Sequence, residues 1–197
     1  MDTTNAGNRY FLPLAVVAAG LLIAGAVVWN GSRSAGPGVG GAAPSADIAA
    51  VKMEGNPYIG EADAPLTIAV WSDFQCPFCE QWETETLPLI VQNYVESGKV
   101  KVVFLDFAFL GPDSTTAGEY NRAVWNLYPE KYAKWRAAIY EAQDEEHGGF
   151  GNAASIDKLN ATITGINAAK VAADVKANGA AYRSQMDADR SEGQKVG

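Results

Sequence analysis

Histidine occurs once in this 197-residue chain and cysteine twice. A closed structural zinc site needs four Cys or His ligands, and Cys76, Cys79 and His147 are the whole supply. Neither a metal nor a cofactor is expected. Two cysteines make at most one internal bridge, and a chain of this length holds a core that needs no disulfide staples. Positive charge is short as well. Lys and Arg total 15 against 23 Asp and Glu, a net charge of −8, and no basic block runs along any segment. Nucleic acid, whose phosphates demand a basic face, is not expected as a partner. There is no internal repeat. His147 lies in DEEHGGFG, a polar, glycine-rich stretch that reads as a solvated turn between helices.

The first organised feature present is FLPLAVVAAGLLIAGAVVW, Phe11 to Trp29, 19 residues without a charge. At about 1.5 Å per residue such a helix covers roughly 28 Å, close to the bilayer hydrocarbon core. Tyr10 and Trp29 suit the two interfaces, while Arg9 and Arg33 are too sparse to fix an orientation. A cleaved signal peptide is the competing reading, with Ala24-Gly25-Ala26 as a small-x-small site, but that site lies inside the apolar run. The preferred reading is a short tail over residues 1–9 and an uncleaved membrane anchor over residues 10–30. Residues 31–50, rich in Gly, Ala, Ser and Pro, form a flexible linker with a mean span of roughly 25 Å. This arrangement places a folded domain, residues 51–197, outside the cytoplasm.

Within that domain LTIAVWSD, Leu66 to Asp73, reads as a strand buried on both faces. Cys76-Pro77 then signals a helix start. Proline is favoured at the first helical position, where its missing N–H would have been unpaired, so Cys76 falls at or beside the N-cap. Glu80, Glu83 and Glu85 follow in the first turns and suit the positive end of the helix dipole. Leu87, Ile90, Val91 and Tyr94 form the buried stripe, Pro88 should kink the helix, and Ser97-Gly98 closes it. VKVVFLDF, Val100 to Phe107, is a second buried strand, and the pair makes a right-handed βαβ unit with parallel strands. From about residue 113 the pattern is helical. Asp113 or Ser114 can cap a helix through Leu127, and Pro129 opens another with Tyr132, Trp135 and Ile139 facing inward. Ser155 and Asn167 can cap two more, and Gly179 separates the second of these from a last polar helix, Ala180 to about Glu192. Tyr128, Tyr132 and Trp135 could line a groove, but at this spacing they read mainly as core. Asn160-Ala161-Thr162 matches a glycosylation sequon weakly.

The chemistry concentrates in SDFQCPFCEQW, Ser72 to Trp82. A thiol attacks as its thiolate, and the first cysteine of a C-x-x-C at a helix N-terminus can have its pKa lowered from about 8.5 to roughly 3.5–7.5. Cys76 is then the nucleophile. Cys79, one turn on and on the same face, can close a disulfide with it or resolve a mixed disulfide. Pro77 stiffens the turn, and Phe78 carries no charge, so the dipole does most of the tuning while Glu80 works mildly against it. A purely structural bridge between residues so near in sequence would stabilise weakly. Two chance buried cysteines would leave the helix-start signal unexplained. Redox activity is the reading that accounts for both spacing and position.

The stretches GEADAPLTIAVWSDFQCPFC and ETLPLIVQNYVESGKVKVVFLDFAFLGP, with the helical region after them, resemble the DsbA-like thiol-disulfide oxidoreductases of the thioredoxin superfamily, of the membrane-tethered type. The resemblance covers about residues 56–197, and S-D-F-x-C-P-F-C is far more specific than a bare C-x-x-C. It implies an α/β thioredoxin fold with a helical insertion, and an enzyme that exchanges disulfides with exported client proteins bearing cysteine thiols. It also implies an exposed Cys76, a buried Cys79, a client groove over the pair, and reoxidation by a membrane quinone-linked partner. A reductase or isomerase of the same fold is the near alternative, since direction depends on reduction potential. A tethered, non-catalytic binding module is the alternative from another class. Two departures stand out. Members often carry an acid six residues before the first cysteine, where this chain has Val70, so slower or water-borne proton transfer is expected. The family pattern also continues with a strand introduced by a cis-proline and then another strand, whereas this sequence ends at GQKVG. The expectation is a fragment or truncated product whose sheet lacks its C-terminal strands.

Overall fold

Strand β3, Val100–Asp106, is the buried centre of a three-stranded sheet, and each side of it has a different partner. β2, Leu66–Ser72, runs parallel to it with Leu66 opposite Val100 and Ser72 opposite Asp106. β1, Tyr58–Ile59, pairs antiparallel on the other side, with Tyr58 opposite Val103. This short strand lies outside the strand pattern read from sequence, since two residues are too few for a period-two signal. The molecule is represented by a computed structural model that describes residues 51–145 and 148–196. The expected anchor (10–30), the linker (31–50) and His147 lie outside the described residues. Among the described residues, no helix is long and apolar enough to cross a membrane.

Between β2 and β3 a single helical rod, α1, covers residues 77–95, but it is not a uniform α-helix. Trp82–Thr86 and Val91–Val95 are π turns separated by Leu87–Ile90. The first is where Pro88 has its effect. Proline has no N–H for the carbonyl four residues back, and its ring crowds that carbonyl. The preceding turn widens instead, with Leu87 N–H donating to the Trp82 carbonyl five residues back. The extra residue in each π turn also shifts the helical phase. Leu87 and Val95 are buried, while Tyr94, expected in the buried stripe, is 52% exposed.

After β3, Gly111 adopts φ 120°, a region that favours glycine, and Pro112 occupies the first position of α2, Pro112–Leu127. The cap is therefore Gly111 rather than Asp113 or Ser114. A 3₁₀ turn, Pro129–Lys131, leads into α3, Tyr132–Glu141, whose Tyr132, Trp135 and Ile139 are fully buried as the spacing predicts. α4, Ala153–Thr162, is capped by Asn152, whose side chain accepts from Ser155 N–H at 3.0 Å, so Ser155 lies inside the helix instead of capping it. Asn167 caps α5 as expected, accepting from Lys170 N–H at 3.0 Å. That helix, Ala168–Val196, continues through Gly179. Buried Val171, Gly179, Tyr182, Met186 and Asp189 keep helical spacing across the glycine, and this packing offsets its cost of about 1 kcal/mol. Asn160 of the sequon is fully buried and accepts from Trp135 Nε1 at 2.7 Å, which removes it as a glycan acceptor in the folded chain.

Alternation along β3 divides the core. Val100, Val102 and Phe104 face α1 to α4, together with Phe74, Tyr132, Trp135 and Tyr140. Val103 and Leu105 face a smaller cluster with Val51, Trp71 and Val196. On that second side Trp71 Nε1 donates to the Asp189 carbonyl of α5 at 2.9 Å. β2 is not buried on both faces. Leu66 is 63% exposed and most of the strand is half-buried, because among the described residues only one of its edges is paired.

Candidate functional site

The loop from Ser72 to Cys76 carries the chain from β2 into α1, and it is held from three directions. Asp73, buried at the loop's centre, accepts from its own neighbour Gln75 N–H at 2.8 Å. Its other oxygen accepts from Phe109 and Leu110 N–H at 2.8 and 3.0 Å, which ties the loop to the segment after β3. From α3, Tyr140 OH donates to the Asp73 carbonyl at 3.4 Å, and just beyond the helix Gln143 Nε2 donates to the Phe74 carbonyl at 2.7 Å. The Cys76 N–H closes the loop on the Asp73 carbonyl at 3.2 Å.

Cys76 is the N-cap, with extended backbone (φ −85°, ψ 119°) and Pro77 in the first helical position, as the sequence predicts. Its carbonyl accepts from both Cys79 and Glu80 N–H at 3.0 Å, so the helix begins tightly on this residue. Both cysteines are free thiols and both are half-buried. Phe78, between them, is 80% exposed. Cys79 turns inward against an open apolar depression of about 440 Å³ lined by Ile68, Val70, Trp71, Phe78 and Trp82. Val70 therefore occupies the wall beside Cys79 with a side chain that can carry no proton.

The Cys79 thiol is pushed up to about 12, chiefly because burial penalises the thiolate. The neighbouring Cys76 thiol and the Asp73 carboxylate also oppose its ionisation. The Asp73 backbone works the other way and favours the thiolate. An inner thiol held protonated in this way leaves the attack to the outer one.

Behind Cys79 lies an ion pair that the sequence reading missed. Glu83, one turn beyond Cys79 on the same helix, is buried rather than solvated at the dipole. Arg136 Nε of α3 divides its hydrogen bond between the two Glu83 oxygens at 3.0 and 2.9 Å. Arg136 Nη2 reaches Ser72 Oγ at 3.0 Å, and its guanidinium stacks 3.8 Å from the Phe104 ring centroid. Burial raises Glu83, yet the two carboxylate contacts drive Arg136 further into its charged state. A guanidinium does not release its proton, so Arg136 stays charged at neutral pH. The signal in sequence was Glu83 at four residues from Cys79, but nothing local points to Arg136 as its partner. Tyr132 and Trp135 are core rather than groove residues, and Tyr128 is half-buried beside Lys170. Among the described residues no cluster of three metal-ligating side chains forms.

Comparison with known proteins places this architecture. A family profile described as thioredoxin matches residues 52–197. A probable disulfide bond formation protein D of Bacillus anthracis is 30% identical over 88 residues, covering 45% of this chain and 41% of that protein. The chain thus spans about two fifths of the length of the curated relatives it matches. Among solved structures, oxidised BdbD from Bacillus subtilis superposes with a TM-score of 0.67 at 23% identity, covering 74% of this chain and 78% of that one. The thiol-disulfide exchange protein alpha-DsbA2 from Wolbachia pipientis gives 0.61 at 23% identity, covering 72% and 70%. The α/β thioredoxin-like fold with its helical insertion is the fold these structures share.

Proposed function

The chain belongs to the thioredoxin family, and on that premise we propose that it is an extracytoplasmic thiol-disulfide oxidoreductase that forms disulfides in exported proteins through Cys76 and Cys79. The observation that carries the reading is a pair of free, half-buried thiols at the start of α1, with Cys76 at the N-cap and Cys79 in the first turn. In the oxidised enzyme a client thiolate attacks the Cys76 sulfur, the Cys76–Cys79 bond breaks, and its electron pair leaves on Cys79, which takes up a proton. A second client thiolate then attacks the client sulfur of the mixed disulfide, and the electron pair returns to Cys76. The client loses two electrons and two protons, and the enzyme pair gains them. A membrane quinone-linked partner would accept those electrons and restore the disulfide. Pro77 stiffens the turn, and exposed Phe78 offers an apolar contact to the client beside the reacting sulfur. The uncharged run Phe11–Trp29 supports a membrane anchor, which would hold the domain where disulfides persist.

The test is transfer of a disulfide from the oxidised full chain to a reduced peptide with two cysteines, followed as peptide oxidation. Wild type should oxidise one equivalent rapidly, Cys76→Ser should fall to the uncatalysed background, and Cys79→Ser should lose disulfide transfer. A strongly reducing potential for the pair would turn the assignment to a reductase. Peptide oxidation that survives Cys76→Ser would leave only a binding module.

A further inference from the structure

Every residue of the turn that delivers the nucleophile, Asp73 to Cys76, is touched by the helical insertion. Tyr140 OH, from α3, donates to the Asp73 carbonyl at 3.4 Å. Just past the end of that helix the Gln143 carboxamide donates to two carbonyls, that of Phe74 at 2.7 Å and that of Cys76 at 3.4 Å. The Phe74 ring is buried against Trp135 and Tyr140 of α3, with centroids 5.9 and 5.1 Å away. Farther along the connection to α4, Gly151 backs onto the buried Gln75 side chain so closely that a Cβ there would collide with Gln75 Nε2. Among the described residues, Gln143 is the one side chain from outside the loop that hydrogen-bonds the backbone of Cys76. The Cys76 carbonyl otherwise accepts only from Cys79 and Glu80 N–H of its own helix.

We propose that Gln143 is a positioning residue for the thiol-disulfide exchange, and that it supports the reduced pair more than the oxidised one. The inference rests on the oxidoreductase reading and deepens it. In the disulfide, the covalent bond to Cys79 ties Cys76 to the first turn of α1 whatever else holds it. In the dithiol that tie is gone, and Cys76 keeps its N-cap place only through the hydrogen bonds of its turn. The place matters, because a thiolate gains from the unpaired N–H groups of a helix start only when it is held there. Gln143 bonds Cys76 itself and the residue two before it, so it spans the turn at the point the covalent tie leaves free. Hydrogen bonds that favour the dithiol over the disulfide make the pair a stronger oxidant. The insertion thereby helps to set how strongly the pair draws electrons from a client.

Equilibration of the full chain with glutathione tests this. Two glutathione thiols give up two electrons and two protons and join in one disulfide, while the Cys76–Cys79 bond takes these up and becomes two thiols. Gln143 is half-buried, and Gln143→Met and Gln143→Leu each remove the donor while keeping an apolar side chain of similar bulk. Losing one net hydrogen bond from the dithiol corresponds to about fivefold. The equilibrium should move by about that factor toward the disulfide, a potential about 20 mV more negative. Urea unfolding of the two redox states closes the same cycle: in each variant the folding equilibrium of the dithiol should fall about fivefold further than that of the disulfide. Circular dichroism identifies which variants are folded, and either one suffices. A glutathione equilibrium within twofold of wild type, a shift toward the dithiol, or equal losses of stability in the two states overturns the positioning role while leaving the oxidoreductase reading intact. A wild-type pair that fails to exchange with glutathione would instead remove the oxidoreductase reading itself.

Discussion

Two arginines on successive helices are buried among carboxylates, yet they serve different parts of the molecule. Arg122 of α2 bonds Asp106 at the end of β3, Nε to Oδ2 at 2.6 Å, and also Asp189 of α5. Asp189 is held further by Asn56 at 3.1 Å and by the Asp106 N–H at 3.0 Å, so this cluster locks α5 to the sheet. Arg136 of α3 has a single carboxylate and spends its second arm on Ser72, beside the thiols. The joint sets two carboxylates against one guanidinium, whereas the approach to the chemistry has one of each. A slender link joins them: Asn121 donates to Asp106 at 3.1 Å and accepts from Tyr132 OH at 2.8 Å, and Tyr132 accepts from Arg136 at 3.4 Å.

The largest effects should come from emptying each cluster. Arg122→Met leaves two buried carboxylates without a cation, and Arg136→Met leaves one; breaking a buried pair in this way costs about 3–5 kcal/mol. Urea unfolding should show a loss of that order in both variants. The contrast lies in the thiols, because in the folded fraction Arg136→Met should slow resolution by Cys79 and Arg122→Met should not. If both slow it alike, the Asn121–Tyr132 link carries the effect and the clusters are one.

A smaller effect should be visible in alkali. The Cys79 thiol is raised from 9.0 to about 12, so the unfolded chain releases this proton first. Its contribution to stability is fully present below pH 9 and is lost as pH rises from about 9 toward 12. Thermal melts of the reduced protein at pH 8 and pH 10 should show a steeper decline in wild type than in Cys79→Ala. Equal declines would mean the inner thiol is no more shielded than a free one. Smallest of all is Gly179→Ala on the Arg122 side of the molecule. A Cβ there would meet a Glu119 oxygen at 3.4 Å, ordinary contact, and the helix gains up to about 1 kcal/mol. A modest rise in melting temperature, with thiol rates unchanged, is expected; a fall would show that the α2–α5 seam has no room.

Features set by neighbours in sequence were readable, while those set by distant partners were not. The start of α1 at Cys76-Pro77, the parallel β2–β3 pair and the inward face of α3 all follow from local chemistry and period. The cap at Asn152 escaped because Ser155 offers the same chemistry three residues later. Gly179 misled because glycine usually interrupts a helix, and here burial against α2 outweighs that tendency. Within the site the two sulfurs were legible and their supports were not. Glu83 and Arg136 stand 53 positions apart, and each alone reads as a surface charge. Asp73 was visible within the motif, but its three amide partners come together only when the segments after β2 and β3 meet.

The π turns of α1 have a consequence for how sequence change is tolerated. Each holds one residue more than an α-turn would, so the rod behaves as two short helices whose faces are set separately: Cys79 and Glu83 toward the thiol wall, Leu87 and Val95 toward the sheet. Removing a single residue between 82 and 86 would let the ladder close as α-helix with both ends keeping their faces, because the widened turn already holds the surplus residue. The same deletion within the α-helical turn Leu87–Ile90 would rotate the sheet-facing end by about 100° against the dithiol end.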